Sequence, residues 1–239
     1  MTPQQKRTAE QLTSLFENGT TEIQYAYAER LKDGRGITSG RAGFTTATGD
    51  AYDVIKLFTA KVPDNSLAVY LPLLKELAAK ESAGIKGLKG FIAAWAKEAQ
   101  TAEFCRVQDQ ITDKLYYRPS VKYSTELSLK TALAQGFLYD TIIQHGDGDD
   151  PDGLPALLKR TNAKAGGTPG DGISEEKWLT AFIKVRRACL ADAYNPATRA
   201  EWAESVERCD VFARIAASGN YQLQTPFTVN WYNEKSIIR

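Results

Sequence analysis

Glu17 and Asp33 stand sixteen residues apart in a 239-residue chain, in surroundings of opposite chemical character. Glu17 follows Leu15 and Phe16 at the predicted end of a helix, where apolar neighbours and the negative end of the helix dipole favour the protonated acid. Asp33 lies in a glycine-rich turn beside Arg35, whose guanidinium favours the carboxylate. One residue suits a general acid and the other a base that activates water, which is the pair that glycoside hydrolysis uses.

The elements around these carboxylates can be predicted from local patterns. A helix is predicted from Pro3 to about Glu17, ended by Asn18-Gly19. The alternation in TEIQYAYAE predicts a half-buried strand, and KDGRGITSGRAG predicts an irregular loop or hairpin. A helix with Thr48 as N-cap follows, and from Asp64 onward the pattern is almost wholly helical. We therefore predict a mainly α protein of the α+β class with a small β element early in the chain.

Composition excludes several classes of protein. The chain is 43% hydrophobic and 25% charged, as in ordinary globular proteins, and its formal net charge of +1 gives no general attraction to nucleic acid or membranes. No apolar run reaches the length of a membrane span. The first residues lack the apolar core of a signal peptide, so a cytosolic protein and a mature secreted form both stay open.

Metal and nucleotide sites have little support in the motifs. The three cysteines lack CxxC spacing, and His145 is the only histidine, so a multi-histidine metal site is excluded. We interpret His145 as structural. GRGITSG lacks the pattern of a nucleotide loop. DGDDPDG puts Pro151 at a ligand position of a calcium loop, so an acidic surface loop is the favoured interpretation.

A family resemblance extends over nearly the whole chain. Its motifs are EN at Glu17-Asn18, DGRGITSG at 33–40, GFTTATGD at 43–50 and YDTIIQHGDGDDP at 139–151. Further matches are YLP at 70–72 and the helix of Trp95. The C-terminal matches, KVRRACLADA with Arg186 and ATRAEW with Arg199, are weaker. In order and spacing the chain resembles the chitosanases of glycoside hydrolase family 46.

The resemblance implies a two-lobed, lysozyme-like fold in which residues 1–239 form a single catalytic unit with a substrate cleft beside the small β element. It implies inverting, internal cleavage of β-1,4-linked glucosamine polymers. By position, Glu17 matches the general acid and Asp33 the general base, and Thr38 matches a residue that helps to hold the attacking water.

Further site residues follow from the same resemblance. Tyr27, Arg35 and Asp50 match residues that line the cleft, with Asp50 facing a substrate ammonium group, and Asp192 is a candidate substrate contact. A buried charge network behind the acid is implied, with members Asp140, Arg186 and Arg199.

The implied partners are chitosan and glucosamine oligosaccharides. We expect a secreted monomer that uses no cofactor or metal and binds neither nucleic acid nor membranes. Two alternatives remain open at this point: a lysozyme-like hydrolase of peptidoglycan, and a chitosan-binding protein without activity. Retention of both Glu17 and Asp33 favours an enzyme, because binding alone needs no such pair.

Overall fold

Helices dominate the computed structural model, which describes residues 1–232 and 234–239. The helices are α1 (Pro3–Asn18), α2 (Asp50–Lys61), α3 (Leu71–Ala79), α4 (Phe91–Glu98), α5 (Ala102–Thr112), α6 (Arg118–Glu126), α7 (Ala132–His145), α8 (Leu154–Ala165), α9 (Glu175–Ala191), α10 (Arg199–Ala203) and α11 (Glu207–Ala217). The strands are β1 (Ala28–Glu29), β2 (Thr38–Ser39), β3 (Phe44–Thr45), β4 (Phe227–Trp231) and β5 (Glu234–Ile238).

Residues 1–22 and 116–239 form one compact unit built around α7. This helix carries apolar residues all round and is buried on nearly all sides, as is typical of a central helix. Its Phe137 packs against Phe182 and Phe212, with ring centroids 4.8 Å apart in both pairs. Strands β4 and β5 pair as an antiparallel hairpin in the same unit.

The local sequence fixes both ends of α1. Thr2 and Gln5 form a reciprocal capping box, with Pro3 in the first turn of the helix. Gly19 ends the helix in the left-handed conformation, with φ of 67°. The predicted helix from Pro3 to about Glu17 is therefore confirmed, and it holds Glu17 in its last turn.

Residues 23–115 form a second compact unit that contains the small β element. Strands β1, β2 and β3 form an antiparallel sheet in that order, and Thr38 of β2 is paired with Thr45 of β3. Helices α2, α4 and α5 contribute to the core, where the rings of Trp95 and Phe104 lie 4.9 Å apart.

Three predictions about elements are corrected. The strand predicted over TEIQYAYAE is reduced to Ala28–Glu29, because Tyr25 and Tyr27 lie in a turn. Thr48 does not cap α2; Gly49 holds that position, and the Thr48 hydroxyl donates to Asp50 instead. The chain after Asp64 also includes the β4–β5 hairpin, which the sequence analysis did not predict.

The described residues contain no candidate membrane span, no metal-binding cluster and no disulfide bond. Within residues 1–232 and 234–239, no helix is both long and apolar enough to cross a membrane. The same residues hold no group of His, Cys, Asp and Glu side chains arranged for a metal ion. Cys105, Cys189 and Cys209 are all free thiols.

Candidate active site

Glu17 is held at the end of α1 by an arginine from α11. Nη2 of Arg208 donates to Oε1 of Glu17 over 2.6 Å. The Glu17 side chain is 43% exposed, whereas that of Arg208 is only 3% exposed. The Arg208 guanidinium also lies over the Phe16 ring, 5.3 Å from its centroid. Glu17 therefore presents its carboxyl group to solvent while a buried cation fixes one of its oxygens. The prediction that apolar neighbours surround this carboxyl group is thereby corrected.

Arg208 is part of a buried charge network centred on Asp140. The same Nη2 atom donates to Oδ1 of Asp140 over 3.1 Å, and Nη1 of Arg186 donates to Oδ2 over 2.6 Å. The Thr13 hydroxyl adds a hydrogen bond to Oδ1 over 3.0 Å. Burial alone would raise the pKa of Asp140, but the two guanidinium groups outweigh it and hold that pKa below its usual value.

The structure corrects the place of Arg199. Its side chain is half exposed, pairs with Asp192 over 3.2 Å and donates to the carbonyl of Ala193. Arg199 therefore lies outside the buried network, and Arg208 takes the position assigned to it from the sequence. The spacing from Arg208 to Phe212 and Ile215 on the apolar face of α11 was the signal that could have identified it.

Asp33 lies in the second unit and is held by Arg35 two residues later. Its Oδ1 accepts the main-chain N–H of Arg35 over 3.0 Å, and its Oδ2 accepts Nε over 2.9 Å and pairs with Nη2 over 2.7 Å. The main-chain hydrogen bond and then the guanidinium lower the pKa of Asp33. The prediction that its surroundings favour the charged form is confirmed.

Thr38 lies in β2 near Asp33 in sequence, and its hydroxyl is buried. The residue is 6% exposed, and Oγ1 has no hydrogen-bond partner in the part of the chain that the structure describes. Buried hydroxyl groups are normally paired, often with ordered water. The hydrogen-bonding capacity of the Thr38 hydroxyl is therefore not used by any described residue.

Asp50 opens α2, and its side chain accepts three hydrogen bonds, one of them from β3. Its Oδ1 accepts the main-chain N–H groups of Thr45 and Ala51 and the hydroxyl of Thr48. Burial raises the pKa of Asp50, and these donors offset part of that effect. The carboxyl group is therefore partly used as a structural acceptor.

The other predicted binding residues are less constrained. The Tyr27 hydroxyl donates to Glu29, and burial followed by the Glu29 charge raises the pKa of Tyr27. Arg35 is exposed beside Asp33. The Asp192 side chain is 83% exposed at the end of α9, where Arg199 is its ion-pair partner.

His145 and the acidic loop serve the structure. Nδ1 of His145 lies 2.8 Å from the carbonyl oxygen of Asp152, and burial lowers the pKa of the ring to about 3, so the ring is neutral. The structural interpretation of His145 is confirmed. Residues 147–151 of the acidic loop are exposed, as predicted, whereas Asp152 is buried because its carboxylate accepts the N–H groups of Tyr194 and Asn195.

Residues 11–227 match the family model described as Glycosyl hydrolase family 46. The chain belongs to glycosyl hydrolase family 46. A family 46 relative, the chitosanase of Bacillus subtilis (strain 168), is 58% identical over 225 residues, which cover 94% of this chain and 81% of that protein. The chitosanase of Streptomyces sp. (strain N174) is 34% identical over 241 residues, which cover 99% and 82%.

Solved family 46 structures agree with the sequence match. Native chitosanase from Bacillus subtilis MY002 has a TM-score of 0.89 and 55% identity, with both chains covered completely. A mutant of that enzyme complexed with 6 GlcN gives the same TM-score. The family 46 chitosanase of Gynuella sunshinyii, in complex with chitotetraose, has a TM-score of 0.88 and 44% identity, covering 100% of this chain and 99% of that one.

Membership of family 46 settles the class of the protein. It is a glycoside hydrolase, and its fold is the mainly α, lysozyme-like fold with a small antiparallel sheet. The predicted family and fold class are thereby confirmed. The roles of individual residues stay predictions.

Proposed function

We propose that this family 46 glycoside hydrolase is an endo-acting, inverting chitosanase. The observation that carries the proposal is the 58% identity to a chitosanase over 94% of the chain. Two structural neighbours that bind glucosamine or chitotetraose oligosaccharides, with TM-scores of 0.89 and 0.88, add support for this substrate class.

In the proposed reaction Glu17 is the general acid. Its carboxyl group donates a proton to the oxygen of the scissile glycosidic bond, so that the leaving sugar departs as a neutral alcohol. The carboxylate that remains carries negative charge 2.6 Å from the Arg208 guanidinium. Arg208 would therefore stabilise the product of proton transfer, and Asp140 and Arg186 would keep Arg208 in place.

Asp33 is the proposed general base. Its carboxylate accepts a proton from a water molecule, and the resulting hydroxide attacks the anomeric carbon from the face opposite the leaving group, which inverts the configuration. The lowered pKa of Asp33 keeps it ionised and ready to accept that proton. The proposal that Thr38 holds this water is supported by its buried hydroxyl, which has no hydrogen bond to any described residue.

The substrate carries an ammonium group on most of its sugars, so local carboxylates matter more than the net charge of +1. We assign Asp50 to a substrate ammonium group: its Oδ1 is anchored by three donors, and Oδ2 has no hydrogen bond to any described residue. Tyr27 offers an aromatic face for a sugar ring, and Arg35 and Asp192 are the remaining proposed contacts.

The test compares chain shortening of highly deacetylated chitosan, chitin and peptidoglycan by the wild type and by Glu17→Gln. We expect rapid cleavage of chitosan alone, with the α-anomer appearing first in the NMR spectrum because a β-linkage is inverted. Glu76→Gln is the matched control, since Glu76 on α3 is an exposed glutamate paired with Lys80.

Each alternative predicts a different result. Cleavage of peptidoglycan in preference to chitosan would support a lysozyme-like hydrolase. Binding of chitosan oligosaccharides by a folded wild type that cleaves none of the polymers would support a binding protein. First appearance of the β-anomer would contradict the inverting mechanism.

We also propose that the enzyme is secreted and acts as a monomer. Chitosan is a polymer too large to enter a cell intact, which supports action outside it. Detection of the protein in the culture fluid of its source, with the mass of a single chain in solution, would test both statements.

A further inference from the structure

Two adjacent side chains of α5 hold the two flanks of the β element in the second unit. Gln108 is fully buried; its Oε1 accepts the main-chain N–H of Arg41 and its Nε2 donates to the carbonyl of Tyr25, each over 3.1 Å. Tyr25 precedes β1, and Arg41 follows β2. The buried side-chain amide of Gln108 therefore connects the segment before β1 to the segment after β2. Strands β1 and β2 are only two residues long and pair over few hydrogen bonds.

Asp109 holds the side chains of the same two residues. Its Oδ1 accepts the Tyr25 hydroxyl over 2.8 Å and also pairs with Nη1 of Arg41. The Arg41 side chain is 4% exposed, and its guanidinium lies over the Tyr25 ring at 5.6 Å from the centroid. Gln108 thus bonds to the main chain, and Asp109 to the side chain, of both Tyr25 and Arg41.

Gly40, in the turn after β2, packs closely against Gln108 and Trp95, so this turn has little room to move. A Cβ atom at Gly40 would lie 2.3 Å from Oε1 of Gln108 and 2.7 Å from Cζ2 of Trp95, and the residue has a φ of 72°. The Gly40 N–H donates to the carbonyl of Tyr27 over 2.7 Å, while the Trp95 indole donates to that of Tyr25. The turn after β2 is therefore pressed directly against α5.

We propose that Gln108 and Asp109 are positioning residues that fix β2, and with it the Thr38 hydroxyl, for the attack of water. Neither side chain is proposed to touch the substrate. Thr38 is two residues from Gly40 in the chain, so a shift of the turn displaces its hydroxyl. The inference rests on the proposed function, because it assigns a catalytic consequence to the arrangement of β2.

The primary test is Gln108→Leu in the full-length chain, with Gln110→Leu as the matched control. Both glutamines are on α5, but Gln110 is exposed and accepts from Lys61, not from the β element. With glucosamine oligosaccharides we expect kcat to fall about tenfold or more in Gln108→Leu, because displacement of a positioning group by about 1 Å has effects of that size. KM should stay within about twofold, and Gln110→Leu should retain wild-type kinetics.

Asp109→Asn is a second variant, which tests the proposal even if the protein does not fold with a leucine at the buried position 108. Asp109 is about one-third exposed, so the variant should fold even if Gln108→Leu does not. We expect a smaller fall in kcat, about three- to tenfold, again with little change in KM. Because both residues hold the same two partners, the double variant should lose less than the product of the single effects.

Amide hydrogen exchange tests the structural role of Gln108 independently of chitosan hydrolysis. In Gln108→Leu the amides of residues 37–46, which include Arg41, should exchange faster, while those of α9 keep wild-type rates. A wild type without activity on chitosan would remove the proposed function, and exchange alone would then decide whether Gln108 holds the β element. Unchanged exchange, or a lowered melting temperature with kcat intact in both variants, would overturn the positioning role.

Discussion

Nη2 of Arg208 lies 2.6 Å from Oε1 of Glu17 and 3.1 Å from Oδ1 of Asp140. One guanidinium nitrogen therefore links the proposed acid to a carboxylate that is completely buried. Burial would lower the pKa of Arg208, but the two carboxylates raise it, so the cation is maintained inside the protein. The position of Glu17 depends on this buried charge.

Arg208→Ala should lose both stability and activity. Removal of the guanidinium leaves Asp140 with Arg186 as its one cationic partner among the described residues, and breaking a buried ion pair costs roughly 3–5 kcal/mol of unfolding free energy. Urea unfolding and chitosan hydrolysis measure the two effects. Arg214→Ala on the same helix is the control, because Arg214 is half exposed and pairs with Glu207. Equal losses in the two variants would argue against the network.

Arg199→Ala should be nearly neutral for stability. Its ion pair with Asp192 is exposed on both sides, and pairs of that kind contribute at most about 1 kcal/mol. A denaturant midpoint close to that of the wild type is the expected result. A loss as large as that of Arg208→Ala would mean that Arg199 does support the buried network.

Asp140 should make stability depend on acid pH. A carboxyl group whose pKa is lowered by folding contributes stability that is fully present above its unfolded pKa and is lost as the pH falls through the lower, folded value. The free energy of unfolding should therefore decline below about pH 4. Asp140→Asn should be less stable at neutral pH and show a flatter decline, and equal slopes for both proteins would contradict the assignment.

Arg35→Gln should move the acid limb of the pH–activity profile upward. The guanidinium is one of the groups that lower the pKa of Asp33, so without it Asp33 would take up its proton at higher pH. The shift should be modest, because the main-chain N–H of Arg35 is the largest contribution and survives the substitution. The measurement is kcat/KM against pH, and an acid limb that stays in place or moves downward would exclude Asp33 as the base.

The parts of the fold that depend on local signals were predicted well. Helix α1 follows from its capping box and from Gly19, which act within one turn of the helix ends. The environment of Asp33 was predicted for the same reason, since its partner is two residues away.

Features that depend on distant contacts were missed. The alternation of Tyr25 and Tyr27 resembles a strand, yet Tyr25 is held by Trp95 and Gln108, seventy or more residues later. Arg199 and Arg208 both lie in helical sequence, and the selection of Arg208 depends on the packing of α11 near α7. The β4–β5 hairpin was not predicted either, although exposed and more buried residues alternate in part along FTVNW.

The assignment of Glu17 as acid and Asp33 as base is tested most directly with two substrates, only one of which needs a general acid to protonate its leaving group. Chitosan oligosaccharides require protonation of the leaving oxygen, whereas the dinitrophenolate released from a dinitrophenyl glucosaminide oligomer is stable as an anion and departs without it. Glu17→Gln should lose at least about a hundredfold in kcat on chitosan but retain most activity on the dinitrophenyl substrate, while Asp33→Asn should lose activity on both. Equal losses of Glu17→Gln on both substrates, or near-normal turnover of chitosan, would contradict the role of Glu17 as the general acid.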